Sequence, residues 1–172
     1  TVEKTAELHA VASCTNRTPL HLVGPEGQLQ VHSAPYRGSF SIVLSQALRA
    51  AGLGSRVLIT QFLKGGVNQG PQGLISLCDT LQWLRPDIPC CLASNVFDQS
   101  SKLEVPQEQA QAAVREIWEI SKRHLIDGDL DQLVLDEIGL AISLGYLKEQ
   151  ELISTLEQRP GGMDVILTGP SI

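Results

Sequence analysis

A chain of 172 residues suits one domain around one buried core, and 42% hydrophobic against 19% charged residues argues against disorder. The formal net charge of -6, with no long basic run, argues against nucleic acid or an anionic membrane as a standing partner. No stretch approaches the roughly 18–20 apolar residues that a bilayer-spanning helix needs.

From Thr1 to Ala12 the chain mixes Glu3, Lys4 and Glu7 among small residues, without the apolar core of a signal peptide, so the expected location is cytoplasmic. Thr1 stands where an initiator Met is expected, as in a trimmed chain. The composition predicts a short amphipathic helix over about 2–12, then a loop punctuated by Pro19, Gly24, Pro25 and Gly27. Residues 1–28 therefore read as an N-terminal helix or arm and 29–172 as a single α/β domain.

Within that domain, 29–33 reads as a first strand. A helix over about 39–51 follows, with Phe40, Val43, Leu44, Ala47 and Ala51 on one face and Gly52 and Gly54 closing it. The apolar, β-branched run 56–62 predicts a strand buried on both faces, and 64–71 a loop. A short helix is expected over about 72–84 and another strand over 88–93, with the adjacent Cys90 and Cys91 as buried thiols. Cys14 and Cys78 make no CxxC pair with these, and the four His are scattered, so no zinc site is expected. Pro106 opens a helix that runs to about 126, with Glu108 in its first turn. The run 132–138 is a strand ending on Asp136 and Glu137; a helix over about 148–158 and a last strand over 163–168 complete the order. Strand-helix alternation with continuous apolar strands implies a mostly parallel central sheet covered by helices, a three-layer α/β sandwich.

Three segments carry candidate chemistry, all at strand ends where such sheets bind ligands. The turn 33–41 is where a phosphate loop belongs, but a phosphate loop needs several glycines, a lysine and a hydroxyl. Here there is one glycine, Gly38, no lysine, and Phe40 where a hydroxyl is wanted, so this turn alone reads as an ordinary connection. Asp136 and Glu137 end a buried strand, the usual place for a carboxylate that holds magnesium or its waters; a solvated acidic turn is the equally weighted alternative. Lys64, Gly65 and Gly66 put a cation and a pliable backbone at the same edge, although a lone loop lysine is more often only solvated.

Taken together these segments resemble the corrinoid adenosyltransferases of P-loop type, which transfer the adenosyl group of ATP to the cobalt of cob(I)alamin or a precursor. The family reads "V-QFIKG", and here stand Val57 and Gln61-Phe62-Leu63-Lys64-Gly65. It reads "LVVLDEI--AL--GYL--EEV---L--RP" and then "V-LTGR". Here stand Leu133 to Ile138, Leu140, Ala141, Gly145-Tyr146-Leu147, Glu149, Leu156, Arg159-Pro160 and Val165 to Gly169. The similarity covers about 29–170 in order and spacing.

It implies a fold like the P-loop nucleoside triphosphate hydrolases, ATP and a corrinoid as small-molecule ligands, Mg2+ as cofactor, and a role in cobalamin metabolism. A homodimer is one assembly open to such a chain. Carried over residue by residue, it implies nucleotide contacts from Ser33, Ala34, Arg37, Gly38, Ser39, Phe40, Ser41, Gln61, Lys64 and Thr168. Asp136 and Glu137 become the catalytic carboxylates, Asp136 at the metal.

The family's loop runs approximately Thr-Gly-Asn-Gly-Lys-Gly-Lys-Thr-Thr. Against it the phosphate lysine becomes Ser39 and the magnesium hydroxyl Phe40; only Arg37 and Gly38 correspond, a degenerate Walker A. Gly139 replaces an Asn and Pro170 an Arg. Lost charge-assisted bonds at on the order of 1.5–3 kcal/mol each predict triphosphate binding weaker by roughly two to four orders of magnitude. A non-catalytic nucleotide- or corrinoid-binding regulatory relative is therefore the alternative expectation.

Overall fold

The computed structural model describes residues 26–35, 40–92 and 105–170. The elements are β1 (Leu29–Ala34), α1 (Ser41–Gly52), β2 (Val57–Gln61), a 3-10 turn at Pro71–Gly73, β3 (Ile75–Cys78), β4 (Leu81–Leu84), α2 (Gln107–Asp127), β5 (Gln132–Asp136), α3 (Ile138–Ser143), α4 (Glu149–Leu156) and β6 (Asp164–Pro170). Six strands form one sheet in the order β1-β6-β5-β2-β4-β3. Every pairing is parallel except β3 with β4, which is antiparallel.

Alternation along the strands sorts their side chains into two cores. On one face Val57, Ile59, Leu81, Val134 and Ile166 meet Phe40, Val43, Ala47 and Ala51 of α1 and its N-cap. On the other, Leu58, Leu84, Leu133, Leu135, Val165 and Leu167 meet Val114, Ile117, Trp118 and Leu125 of α2, together with Ile138, Ala141 and Leu152 of α3 and α4. The three layers and the mostly parallel sheet are those expected. β2 and β5 are buried along their whole length, which explains their unbroken apolar sequences.

Several elements differ from expectation, among them α3, which was not expected. Past the 3-10 turn that ends at Gly73, residues 72–84 form no α-helix but the β3–β4 hairpin, because Leu81 and Leu84 each fill one of the two cores, with β4 parallel to β2. No strand runs over 88–92: Pro86 and Pro89 remove the donors a ladder needs, and only an isolated bridge joins Lys64 to Cys91. The thiols there are not buried, Cys90 being half-exposed and Cys91 exposed. The expected strand 132–138 ends at Asp136, and α3 begins two residues later. The expected helix over 2–12 lies outside the described residues. Among the described residues no helix is long and apolar enough to cross a membrane.

An ion-paired cluster fastens α4 to α2. Glu151 accepts from Arg115 Nη1 at 2.7 Å, Trp118 Nε1 at 3.0 Å and Lys122 Nζ at 3.1 Å. Burial raises the Glu151 pKa, but the bonds from Trp118, Arg115 and Lys122 outweigh it and bring it from 4.5 to about 2. A carboxylate with a depressed folded-state pKa stabilises the fold above its unfolded pKa and loses that contribution as pH falls through the folded one. After allowance for solvent screening, Glu151→Gln should cost about 1–3 kcal/mol at pH 7. The gap between variant and parent should close between about pH 4.5 and pH 2, as urea unfolding across that range would measure.

Candidate functional site

At the carboxyl ends of the strands the register lines up one row of polar side chains. Gln61 pairs with Asp136, and Thr168 with His32. The β2–β4 and β5–β6 ladders end at Thr60–Leu84 and Leu135–Leu167, so one further step sets Arg85 beside Gln61 and Asp136 beside Thr168. The row Arg85, Gln61, Asp136, Thr168, His32 crosses five strands on the face that α1 covers.

Hydrogen bonds join most of it. Asp136 is 2% exposed, and such a carboxylate must be paired. Its Oδ2 accepts from Gln61 Nε2 at 2.7 Å and Lys64 Nζ at 3.0 Å; its Oδ1 accepts from Thr168 Oγ1 at 2.9 Å. Lys64 reaches in from the loop with 29% of its side chain exposed, so this ion pair is open to solvent on one side. Gln61 Oε1 in turn accepts from Trp83 Nε1 and Arg85 Nε, both at 2.8 Å. His32 closes the row with its Nε2 at 3.2 Å from Gln30 Oε1.

Immediately after Asp136 the backbone turns through a left-handed residue, Glu137, at φ 61°. A non-glycine residue there costs on the order of 1–3 kcal/mol and persists only where its surroundings hold it. The Glu137 N–H donates to Thr168 Oγ1 at 2.7 Å, so one hydroxyl fixes both carboxylate residues. The turn also requires α3 to start directly on β6. Gly139 and Gly169 meet backbone to backbone there, and a Cβ on Gly169 would lie 2.9 Å from Gly139 Cα.

Of the residues expected at the site, Gln61, Lys64, Asp136, Glu137 and Thr168 are therefore brought together. The turn after β1 is different. Phe40 is the α1 N-cap, and its ring is buried in the α1-side core. Ser41, the first residue of α1, is exposed; Ala34 packs toward that core, and Ser33 lies exposed on the opposite face of β1. Arg37, Gly38 and Ser39 lie outside the described residues. Two members of the network were not anticipated, Trp83 and Arg85. Both follow from reading 81–84 as a strand rather than a helix, and the aromatic Trp83 between Leu81 and Leu84 is the signal available in the sequence.

Residues 25–172 match the family described as ATP:corrinoid adenosyltransferase BtuR/CobO/CobP. The chain belongs to this family. Relatives include the corrinoid adenosyltransferase of Escherichia coli (strain K12), 29% identical over 143 residues that cover 83% of this chain and 67% of that protein. Corrinoid adenosyltransferase CobA of Salmonella typhimurium (strain LT2) is 31% identical over 144 residues, with the same shares of the two chains. The corrinoid adenosyltransferase of Pseudomonas aeruginosa (strain PAO1) is 28% identical over 144 residues, 83% of this chain and 66% of that protein. This member of the family thus spans about two thirds of the length of these relatives.

Thr168 is the residue on which the site's geometry is most easily checked. Thr168→Val keeps the shape but leaves Asp136 Oδ1 and the Glu137 N–H without their partner, at about 1–3 kcal/mol for each buried group. Chemical denaturation should register a loss of about 2–4 kcal/mol, most of it restored by Thr168→Ser.

Proposed function

We propose that this chain binds a nucleotide and a corrinoid at the carboxyl edge of its sheet and transfers the adenosyl group of ATP to the reduced cobalt. The observation that carries this reading is the Asp136 network: a buried carboxylate with donors from two neighbouring strands and a loop, on the family's scaffold and on the sheet face that α1 covers. Among the described residues the N-terminus of α1 has neither an acidic side chain in its first turn nor a side-chain cap, and its partial positive charge favours an anion.

In the reaction, cobalt supplies the electron pair that forms the bond to the adenosyl carbon. The carbon–oxygen bond to the triphosphate breaks, and triphosphate leaves with its electrons. The protein's part is positioning and electrostatics. Lys64, at the rim of the network, supplies positive charge where the leaving group gathers negative charge, while Asp136, itself fixed by a bond from Gln61, holds that ammonium in place. Glu137 and Thr168 fix the turn beneath it.

The donor set does not fit a magnesium ion held directly by Asp136. Three of the roughly four lone-pair sites of that carboxylate are already engaged, one of them by a cation, and Phe40 points its ring into the core.

The reading is tested with reduced corrinoid. Under anoxic, reducing conditions with Mg-ATP, an adenosylated, light-sensitive corrinoid should accumulate in proportion to enzyme. Asp136→Ala should slow its formation by at least roughly tenfold. Phe40 in the core, and Ser39 in sequence where the family has its phosphate lysine, favour a second reading, a non-catalytic relative that binds nucleotide or corrinoid. Absence of product from a folded chain that still takes up hydroxocobalamin by calorimetry selects that reading, and ATP-dependent product removes it.

A further inference from the structure

A strong cation of the polar row, Arg85, lies outside the segments so far given a role. Its Nε donates to Gln61 Oε1 at 2.8 Å, and its guanidinium carbon sits 5.6 Å from the centroid of the Trp83 ring. Gln61 cannot reverse its amide to avoid this, because Trp83 Nε1 donates to the same oxygen and Gln61 Nε2 is committed to Asp136. The guanidinium is thus held from two sides, by a bond at its inner nitrogen and by an aromatic face. A guanidinium has five N–H donors, and Nε uses one in this bond; the two terminal nitrogens carry the other four, the fork that suits a phosphoryl group.

Charge within the row points the same way. Lys64 is matched by Asp136 at 3.0 Å, whereas the partner of Arg85 there is a neutral amide. The turn 33–41 contains no lysine to meet a phosphate chain, and Phe40 is packed away from it.

We propose that Arg85 is an anion-binding residue of this site, taking the phosphoryl oxygens of the ligand at the outer end of the row, with Trp83 and Gln61 as its positioning residues. The inference rests on the nucleotide-binding reading above and adds a phosphate contact at the end of β4 to the turn after β1, whose one cation is Arg37. Pre-orientation by Trp83 and Gln61 lowers the side-chain entropy lost when the fork closes on an anion. Phosphoryl oxygens reach the site from two sources, the triphosphate of ATP or the phosphodiester of a complete corrinoid, and these call for separate measurements.

The test titrates the full chain with inorganic tripolyphosphate and, separately, with hydroxocobalamin, by calorimetry. Tryptophan fluorescence, to which Trp83 contributes, is a second readout for tripolyphosphate. Arg85→Met is compared with Arg56→Met, which removes the same charge before β2, at the opposite end of the strands, where Arg56 pairs with Asp131 in an exposed bridge. Arg85→Met is expected to weaken tripolyphosphate binding by on the order of tenfold to a hundredfold, and Arg56→Met to leave it nearly unchanged. Arg85→Lys keeps the charge and loses the fork and the Nε bond; it should regain only part of the affinity, and it serves as the comparison should Arg85→Met unfold. Loss confined to hydroxocobalamin supports the phosphoryl contact and assigns it to the corrinoid.

Equal binding of both ligands by the Arg85 and Arg56 variants overturns the proposal, as does a parent chain that binds neither ligand. Full affinity in Arg85→Lys overturns the role given to the fork. ATP-dependent product formation indifferent to Arg85 keeps the transferase reading and discards this one. Arg85-dependent tripolyphosphate binding in a chain that forms no product does the reverse.

Discussion

A carboxylate with 2% exposure cannot stay charged among apolar neighbours without several donors, and Asp136 sets that requirement for the whole carboxyl edge. Its partners are Gln61 from β2, Thr168 from β6 and Lys64 from the loop after β2. None is close to it in sequence, the shortest separation being the 32 residues to Thr168. Each bond therefore exists only if β2, β5 and β6 keep their register, since a slip by one residue would turn every side chain to the other face. The site is assembled by the sheet and in turn penalises sheets assembled differently.

The same constraint propagates outward. Gln61 must present its amide nitrogen to Asp136, so its oxygen faces β4, and Trp83 and Arg85 occupy it. Thr168 must present its hydroxyl to Asp136, and its remaining acceptor capacity takes the Glu137 N–H. That second bond holds a left-handed turn, and the turn drives α3 onto β6 so closely that glycine faces glycine. A polar network thereby dictates where a helix begins. The row belongs to neither apolar core, although Phe62, Leu63 and Ile138 of one core and Phe40 of the other flank it.

Legibility in the sequence divided along physical lines. β2 and β5 were clear because burial on both faces leaves an unbroken apolar run, and α2 because Pro106 and a long apolar stripe mark it. Gln61, Lys64, Asp136, Glu137 and Thr168 could be named because each falls at a strand end within a motif. The β3–β4 hairpin was hidden: β3 is an exposed edge strand with no buried face to impose a period, and four-residue strands carry too little pattern to separate from a helix. Losing that hairpin meant losing Trp83 and Arg85. Ile88 to Cys91 misled in the other direction, since apolar character there is interrupted by Pro89, which a ladder does not tolerate. The left-handed Glu137 has no local signature, because its conformation is imposed by Thr168 from another strand.

Stability and chemistry make different demands on this edge. The bonds among Gln61, Asp136, Thr168 and the Glu137 backbone satisfy groups that burial would otherwise leave unpaired, so the fold requires them whether or not a reaction occurs. Their presence is consequently weak evidence for turnover. The described residues of the turn after β1 differ: none of them closes a bond to Asp136, and Phe40 is given to the core. Arg85 differs from both. Gln61 Oε1 is satisfied by Trp83 without it, and a planar cation stacked at the mouth of a ligand edge adds little that the fold needs. A charged group that stability does not explain is where function is most economically sought, which makes anion binding at Arg85 more discriminating than any loss suffered on disrupting Asp136.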